Sequence, residues 1–297
     1  MILIVGASGK VGKGVARWAL KEGHKVRCIS RDPKSRLADL EQEGAEVVKG
    51  DLGNIKSLNE ACQDVTHVVA TAHSLLGRGR RSSAIVDDRG HRDLVDAAYE
   101  CGVKHFIYVS AYGAEIDHPS KFYRFKYKIE RYLTQSRVPY TIIRPTYFME
   151  THVHEHIVKP ILEKNKVKLY GKGKTIRNFV HSQDVTQLIA HVLTHPETVG
   201  KTINIGGPEE NNMTTNDVVE LVKNMTNTDP KVHHVSRMVL NVLPKILKPF
   251  HPGRSQYLCM ALYYDTHDEP FDTKPLLTEY PLTLTKLEPW LKTKIKQ

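Results

Sequence analysis

Three glycines near the start of the chain, Gly6, Gly9 and Gly12, are spaced to bring backbone against a phosphate. Ahead of them Ile2-Leu3-Ile4-Val5 is a run of apolar β-formers, and behind them Val11, Val15, Trp18 and Ala19 recur at helical spacing. A short strand that turns on glycines into a helix is an anion cradle. The turn admits the ligand close to the backbone, and the free N–H groups and dipole of the first helical turn hold its charge. Gly6-Ala7-Ser8-Gly9-Lys10-Val11-Gly12 is therefore expected to hold the pyrophosphate of a dinucleotide, the competing reading being a plain turn in an α/β sheet.

The ends of the next strand-like runs carry the other candidate binding groups. Where a carboxylate would accept from the adenosine ribose of NAD, the chain has Ser30-Arg31-Asp32-Pro33. Arg31 can fork onto a 2′-phosphate, so NADP(H) is expected over NAD(H); Asp32 on a ribose hydroxyl is the competing arrangement. In Gly50-Asp51-Leu52, Asp51 can accept from the adenine amino group while Leu52 covers the ring, with a turn or cap the alternative for Asp51. Thr71, Ala72, His73 and Ser74, at the end of the following strand-like run, are suited to line a cofactor channel. His152, His154 and His156 suggest a metal, since His152 and His156 are four apart. No third ligand accompanies them, and no metal is expected.

These groups need a scaffold, and the first half of the sequence supplies one. Strand patterns at Lys25–Ser30, Ala45–Gly50, Val65–Ala72 and His105–Ser110 alternate with helical ones at Ser35–Gln42, Ile55–Ala61 and Asp87–Tyr99. Such βαβ succession builds a Rossmann-type, doubly wound parallel sheet, an α/β fold whose ligands sit at the carboxyl ends of its strands. Residues 1–150 are expected to form this NAD(P)-binding core. Residues 151–297 are expected to form a smaller substrate-binding subdomain, with the strand and helix around 176–206 returning to the core.

The 297 residues are 40% hydrophobic and 26% charged, ordinary for a globular protein. No apolar run is long enough to span a bilayer, and the chain enters its first strand at once with no signal segment, so a cytoplasmic location is expected. The four cysteines, Cys28, Cys62, Cys101 and Cys259, lack metal-ligand spacing and read as free thiols. The net charge of +10 gathers in Arg78-Gly79-Arg80-Arg81, in Lys159–Arg177 and in Lys292, Lys294 and Lys296. No interleaved aromatics accompany these runs, so they read as solvated faces and nucleic acid is not an expected partner. Asp184 and Thr214 are expected to cap helices. An apolar stripe at Val235, Met238, Val239, Val242, Leu243, Ile246 and Leu247, broken at Pro244, reads as a lid or packing face, with a partner surface or an interfacial helix as alternatives.

Several of these motifs, in order, resemble one family. The glycine turn, Ser30-Arg31-Asp32-Pro33, Gly50-Asp51-Leu52 and Val109-Ser110 are similar to the atypical short-chain dehydrogenase/reductases, in the NmrA-like and isoflavone-reductase-like branch. So are Lys126–Glu130, Val138–Glu150, Asn178–Val185 and Asn204–Pro208. The resemblance covers residues 1 to about 220 and implies an NADP-type cofactor on a Rossmann sheet. Conventional members pair a serine with Tyr-x-x-x-Lys, the tyrosine donating a proton. Here the lysine is Lys126 but Phe122 stands four residues before it, and Tyr123 lies about 100° further round the helix. The isoflavone-reductase pattern, which uses a lysine instead, runs in register through Lys126-Tyr127-Lys128-Ile129-Glu130-Arg131 and Pro139-Tyr140-Thr141. Lys126 is thus the expected catalytic and ribose-binding residue, with Ser110 orienting a carbonyl and Tyr123 as the phenol within reach. Pro145 stiffens the turn expected over the nicotinamide, and Phe148 walls it. The resulting expectation is an NADPH-dependent reductase of a small carbonyl, quinone or enone substrate. The alternative is a non-catalytic NADP(H)-binding sensor or assembly protein with a protein partner; a nucleotide-sugar epimerase or dehydratase is a weaker third.

Overall fold

The computed structural model describes residues 1–295, so Lys296 of the C-terminal basic run lies outside the described residues. It divides into two compact units, one of residues 1–144 and 185–204, the other of 145–184 and 205–297.

The first unit is built on a seven-stranded sheet. Its strands are β1 (Ile2–Val5), β2 (Val26–Ser30), β3 (Glu46–Lys49), β4 (His67–Ala70), β5 (His105–Val109), β6 (Tyr140–Pro145) and a late strand, Thr202–Ile205, in the order late-β6-β5-β4-β1-β2-β3. All neighbours from β3 to β6 are parallel. The order reverses between β1 and β4, so the switch point lies beside the glycine turn. β1 and β5 are buried throughout because both faces are covered by helices, which is why β1 reads as an unbroken apolar run and β5 as one after His105. Leu3, Val68, Leu94, Phe106, Ile129 and Leu133 pack together in the core.

Three local expectations need correction here. The helix expected over 35–42 is two short ones, Pro33–Arg36 and Ala38–Gln42, hinged at Leu37 (φ −128°), whose side chain is wholly buried. The helix expected from Asp87 begins at Ala84, with a wide π-helical turn to Arg89 before a regular helix, Gly90–Glu100. Asp184 is no cap: its helix starts at Ser182, and its carboxylate accepts from the Thr285 backbone N–H at 2.9 Å and hydroxyl at 2.7 Å. Thr214, by contrast, forms a complete capping box with Asp217.

The second unit holds β7 (Tyr147–Phe148), β8 (Lys166–Tyr170), β9 (Ile176–Val180), β11 (Asn212–Thr214) and β12 (Lys231–Val235), taking the late strand as β10. They make a three-stranded sheet, β11-β9-β7, and a parallel pair, β12-β8. β9 therefore joins a sheet of its own, while β10 and the helix from residue 185 group with the first unit. The helix Arg237–Leu247 continues through Pro244 rather than breaking there, packed on the helix Pro252–Tyr264.

Candidate functional site

Backbone closeness, not side chains, makes the glycine turn. Gly6 has φ +102°, and a Cβ there would lie 2.5 Å from Thr71 Oγ1 and 2.7 Å from the Ala72 nitrogen. A Cβ on Gly12 would sit 2.4 Å from the Gly6 carbonyl oxygen. The Gly9 N–H donates to Gly6 O at 2.9 Å and closes the turn, and Gly9 then serves as N-cap of the helix Lys10–Lys21. No side chain caps that helix, and no acidic residue stands in its first turn. Its leading N–H groups thus face no competing anion of the chain's own. Thr71 ties β4 to the turn, its Oγ1 donating to the carbonyls of Val5 and Gly6. Ser8, Gly9 and Lys10 are exposed at the mouth, while Ala7, Val11 and Gly12 are buried beneath it. A cradle whose glycines leave no room for Cβ and whose helix end is uncapped fits a dinucleotide pyrophosphate.

At the end of β2, Arg31 is exposed and makes no ion pair among the described residues. Asp32 is already engaged. Its carboxylate caps Pro33–Arg36, accepting from the Ser35 hydroxyl at 2.6 Å, and the Ser35 hydrogen bonds hold its pKa below the usual carboxylate range. Asp51 folds back as a turn former, accepting from the Gly53 N–H at 2.9 Å, and Leu52 is buried in the core against Gly90.

The helix Lys121–Gln135, capped by Ser120, carries Phe122, Tyr123, Lys126 and Glu130 on its buried face. Lys126 is 2% exposed, and Nζ donates to the Val109 carbonyl at 2.9 Å, at the end of β5. The ammonium lies 4.8 Å from the Tyr108 ring centre and 5.7 Å from that of Phe122. Burial lowers its pKa to about 8, opposed by the negative charges of Asp87 and Glu130. Ser110, the residue directly after β5, is buried with its hydroxyl unpaired. Tyr123 turns elsewhere and stacks on His118, ring centres 4.2 Å apart, whereas Phe122 meets His73 edge-on at 5.8 Å. The ring one helical turn before the lysine, at the position of the family's tyrosine, is therefore a phenyl, which holds no proton to give.

Of three groups around Lys126, the sequence points only to His73, as a lining residue of the cofactor channel, and gives Asp87 and Glu130 no site role. Asp87 is wholly buried and accepts from the Ser74 N–H at 3.0 Å and from the Ser83 hydroxyl at 2.5 Å; burial raises its pKa, against the pull of Lys126 and these bonds. His73, at the end of β4, is open to solvent on one side yet walled by protein, and this packing together with the Lys126 charge holds it below the usual imidazole range. Glu130 is paired with Arg144 by two hydrogen bonds, one of 2.8 Å from Nε. Asp87 and His73 are remote in sequence from Lys126, whereas Glu130 stands one turn further along the same helix. Glu130 is 3% exposed. Arg144→Met, which leaves that carboxylate unpaired, is accordingly expected to cost about 3 kcal/mol, read as a lower urea midpoint at unchanged slope.

In the second unit Pro145 is buried at the end of β6 and Phe148 is half-buried on β7. His152 and His156 meet edge to face at 5.9 Å, and His152 also abuts the Tyr147 ring at 5.1 Å. Packing, then the charges of His156 and Arg177, lowers the His152 pKa to about 3. The His/Cys/Asp/Glu group close enough to share an ion among the described residues is instead His191, His195 and Glu197. Its two rings are stacked at 3.7 Å and only 13° from parallel, so their in-plane lone pairs do not converge. All four cysteines are free thiols.

A model of the NmrA-like family matches residues 1–293. The chain belongs to that family. It is 27% identical over 259 residues to photosystem II assembly factor Ycf39 of Trieres chinensis, covering 86% of this chain and 78% of that protein. It is 23% identical over 291 residues to isoflavone reductase homolog A622 of Nicotiana glauca, covering 92% and 89%. Among solved structures the fold is shared with the NADPH-dependent quinone oxidoreductase QOR2 of Escherichia coli, complexed with NADPH. The TM-score is 0.78 at 20% identity, covering 99% of each chain.

Proposed function

We propose that this NmrA-like protein binds NADP(H) in its glycine cradle and reduces a small carbonyl, quinone or enone substrate, with Lys126 as proton donor. The observation that carries the reading is a buried ammonium anchored at the end of β5, with its pKa lowered to about 8. Bound in the cradle, a reduced nicotinamide supplies hydride. The backbone N–H groups after Gly9 bind the pyrophosphate, and Arg31 binds the 2′-phosphate. Lys126 holds a proton at Nζ that it surrenders readily near neutral pH, and Ser110 offers its unpaired hydroxyl to orient the substrate oxygen. The family match and the likeness to reductases support this reading.

Capping by Asp32 leaves Arg31 as the group available at the ribose. Arg31→Ala is expected to raise the NADPH Kd about tenfold while moving the NADH Kd by less than about twofold, measured by calorimetry. Equal losses for both would remove the case for NADP(H).

A second reading has its own observation. Phe122 stands at the tyrosine position, and the similarity to a photosystem II assembly factor suits a chain that keeps the cradle and works through a protein partner. Tight NADPH binding with no oxidation across a panel of quinones, enones and aldehydes would decide for it.

A further inference from the structure

The helix Arg237–Leu247 is covered on one side only. Leu240, Leu243 and Leu247 pack on the helix Pro252–Tyr264 and the residues around it. The opposite side carries Met238, Val242 and Ile246, which are 73%, 51% and 59% exposed, and Phe250 in the following turn is 73% exposed. These four are spaced by four residues, so they form one continuous row. Scattered exposed apolar residues are ordinary; a row of this kind on one helix is not.

The charge around the row is one-sided. Between Asp229 and Asp265 the sequence contains no acidic residue, against Lys231, Arg237, Lys245, Lys248 and Arg254. Arg237 pairs with Asp265 at 2.6 Å, while the other four make no ion pair among the described residues. At about 100° per residue, Lys245 and Lys248 project to the flank of the apolar row, where their stems can lie along it with the charges reaching outward. Among the described residues no helix is long and apolar enough to cross a membrane, and eleven residues rise only about 16 Å.

We propose that this helix is an interfacial anchor that lays Met238, Val242, Ile246 and Phe250 into an anionic lipid surface, with Lys245 and Lys248 on the headgroups. A second copy of the chain is a poorer occupant, because joining two such faces would bring the unpaired cations together.

The test is flotation of the full chain with vesicles of phosphatidylcholine alone or with about one-third phosphatidylglycerol, at low and high salt. Association about tenfold or more stronger with the anionic vesicles, weakened by salt, is expected. V242E/I246E should abolish it with thermal melting and NADPH binding unchanged, since both side chains are exposed, and K245Q/K248Q should weaken it. No association with anionic vesicles overturns the proposal. Equal binding to neutral vesicles, or full binding by V242E/I246E, overturns it as well. A wild-type dimer that V242E/I246E converts to monomer, without vesicle binding, assigns the face to a second copy instead.

Discussion

Lys126→Met is expected to lower kcat/KM for NADPH-dependent reduction by about 10²- to 10⁴-fold, the range that a positioned proton donor contributes. Methionine matches the length of the lysine stem and removes the ammonium, so chemistry should suffer more than packing. The pH profile separates a donor from a packing role. The ammonium is the donating form, and its pKa is lowered to about 8 by burial. Activity of the wild type should be flat below that pH and fall tenfold per unit above it, and this limb should vanish from the residual rate of the variant. A wild-type profile level from pH 7 to pH 9.5 would remove Lys126 from the proton's path. Stability is the poorer readout. The lysine is protonated more fully in the unfolded chain between about 8 and 10.5, so its contribution rises with pH across that window. The thiols of Cys28 and Cys62, pushed up to about 12 by burial, act in the opposite sense from their ordinary value of 9 upward. The two trends overlap, whereas the rate profile isolates the site.

Gly12→Ala sets two effects of opposite sign against each other. Alanine in place of glycine inside a helix contributes roughly 1 kcal/mol of propensity. The new Cβ, however, would lie 2.4 Å from the Gly6 carbonyl oxygen and 2.8 Å from its carbon, both backbone atoms of the turn itself. No rotamer change relieves that contact, so the helix must move away from the turn at about 1–3 kcal/mol or more. The clash outweighs the propensity. A net loss of stability of up to about 2 kcal/mol is expected, with NADPH affinity lowered at least about tenfold, because the displaced atoms are those that hold the pyrophosphate. Calorimetry and a urea titration on the same sample read both. An unchanged Kd would show that the dinucleotide does not sit in this turn, and the reductase and assembly readings would fall together.

What the sequence determined by itself was whatever short-range order encodes. The apolar run of β1 and the glycines at 6, 9 and 12 define a strand, a turn and a helix within fifteen residues, and the alternation that follows implies a parallel sheet before any coordinate is known. Thr214 and Asp217 announce their capping box in the same way. The environment of Lys126 is different in kind. Its carbonyl partner comes from β5, its opposing carboxylate Asp87 from a wide helical turn far upstream, and its pKa from a burial that no local pattern encodes. Asp184 and Pro244 depart from their local signals for the same reason. One is claimed by Thr285, a hundred residues away, and the other lies in a helix packed on a neighbouring one. Local periodicity reports which face of an element is buried. Which groups share that burial, and so which charges and protons they hold, is decided when elements distant along the chain are brought together.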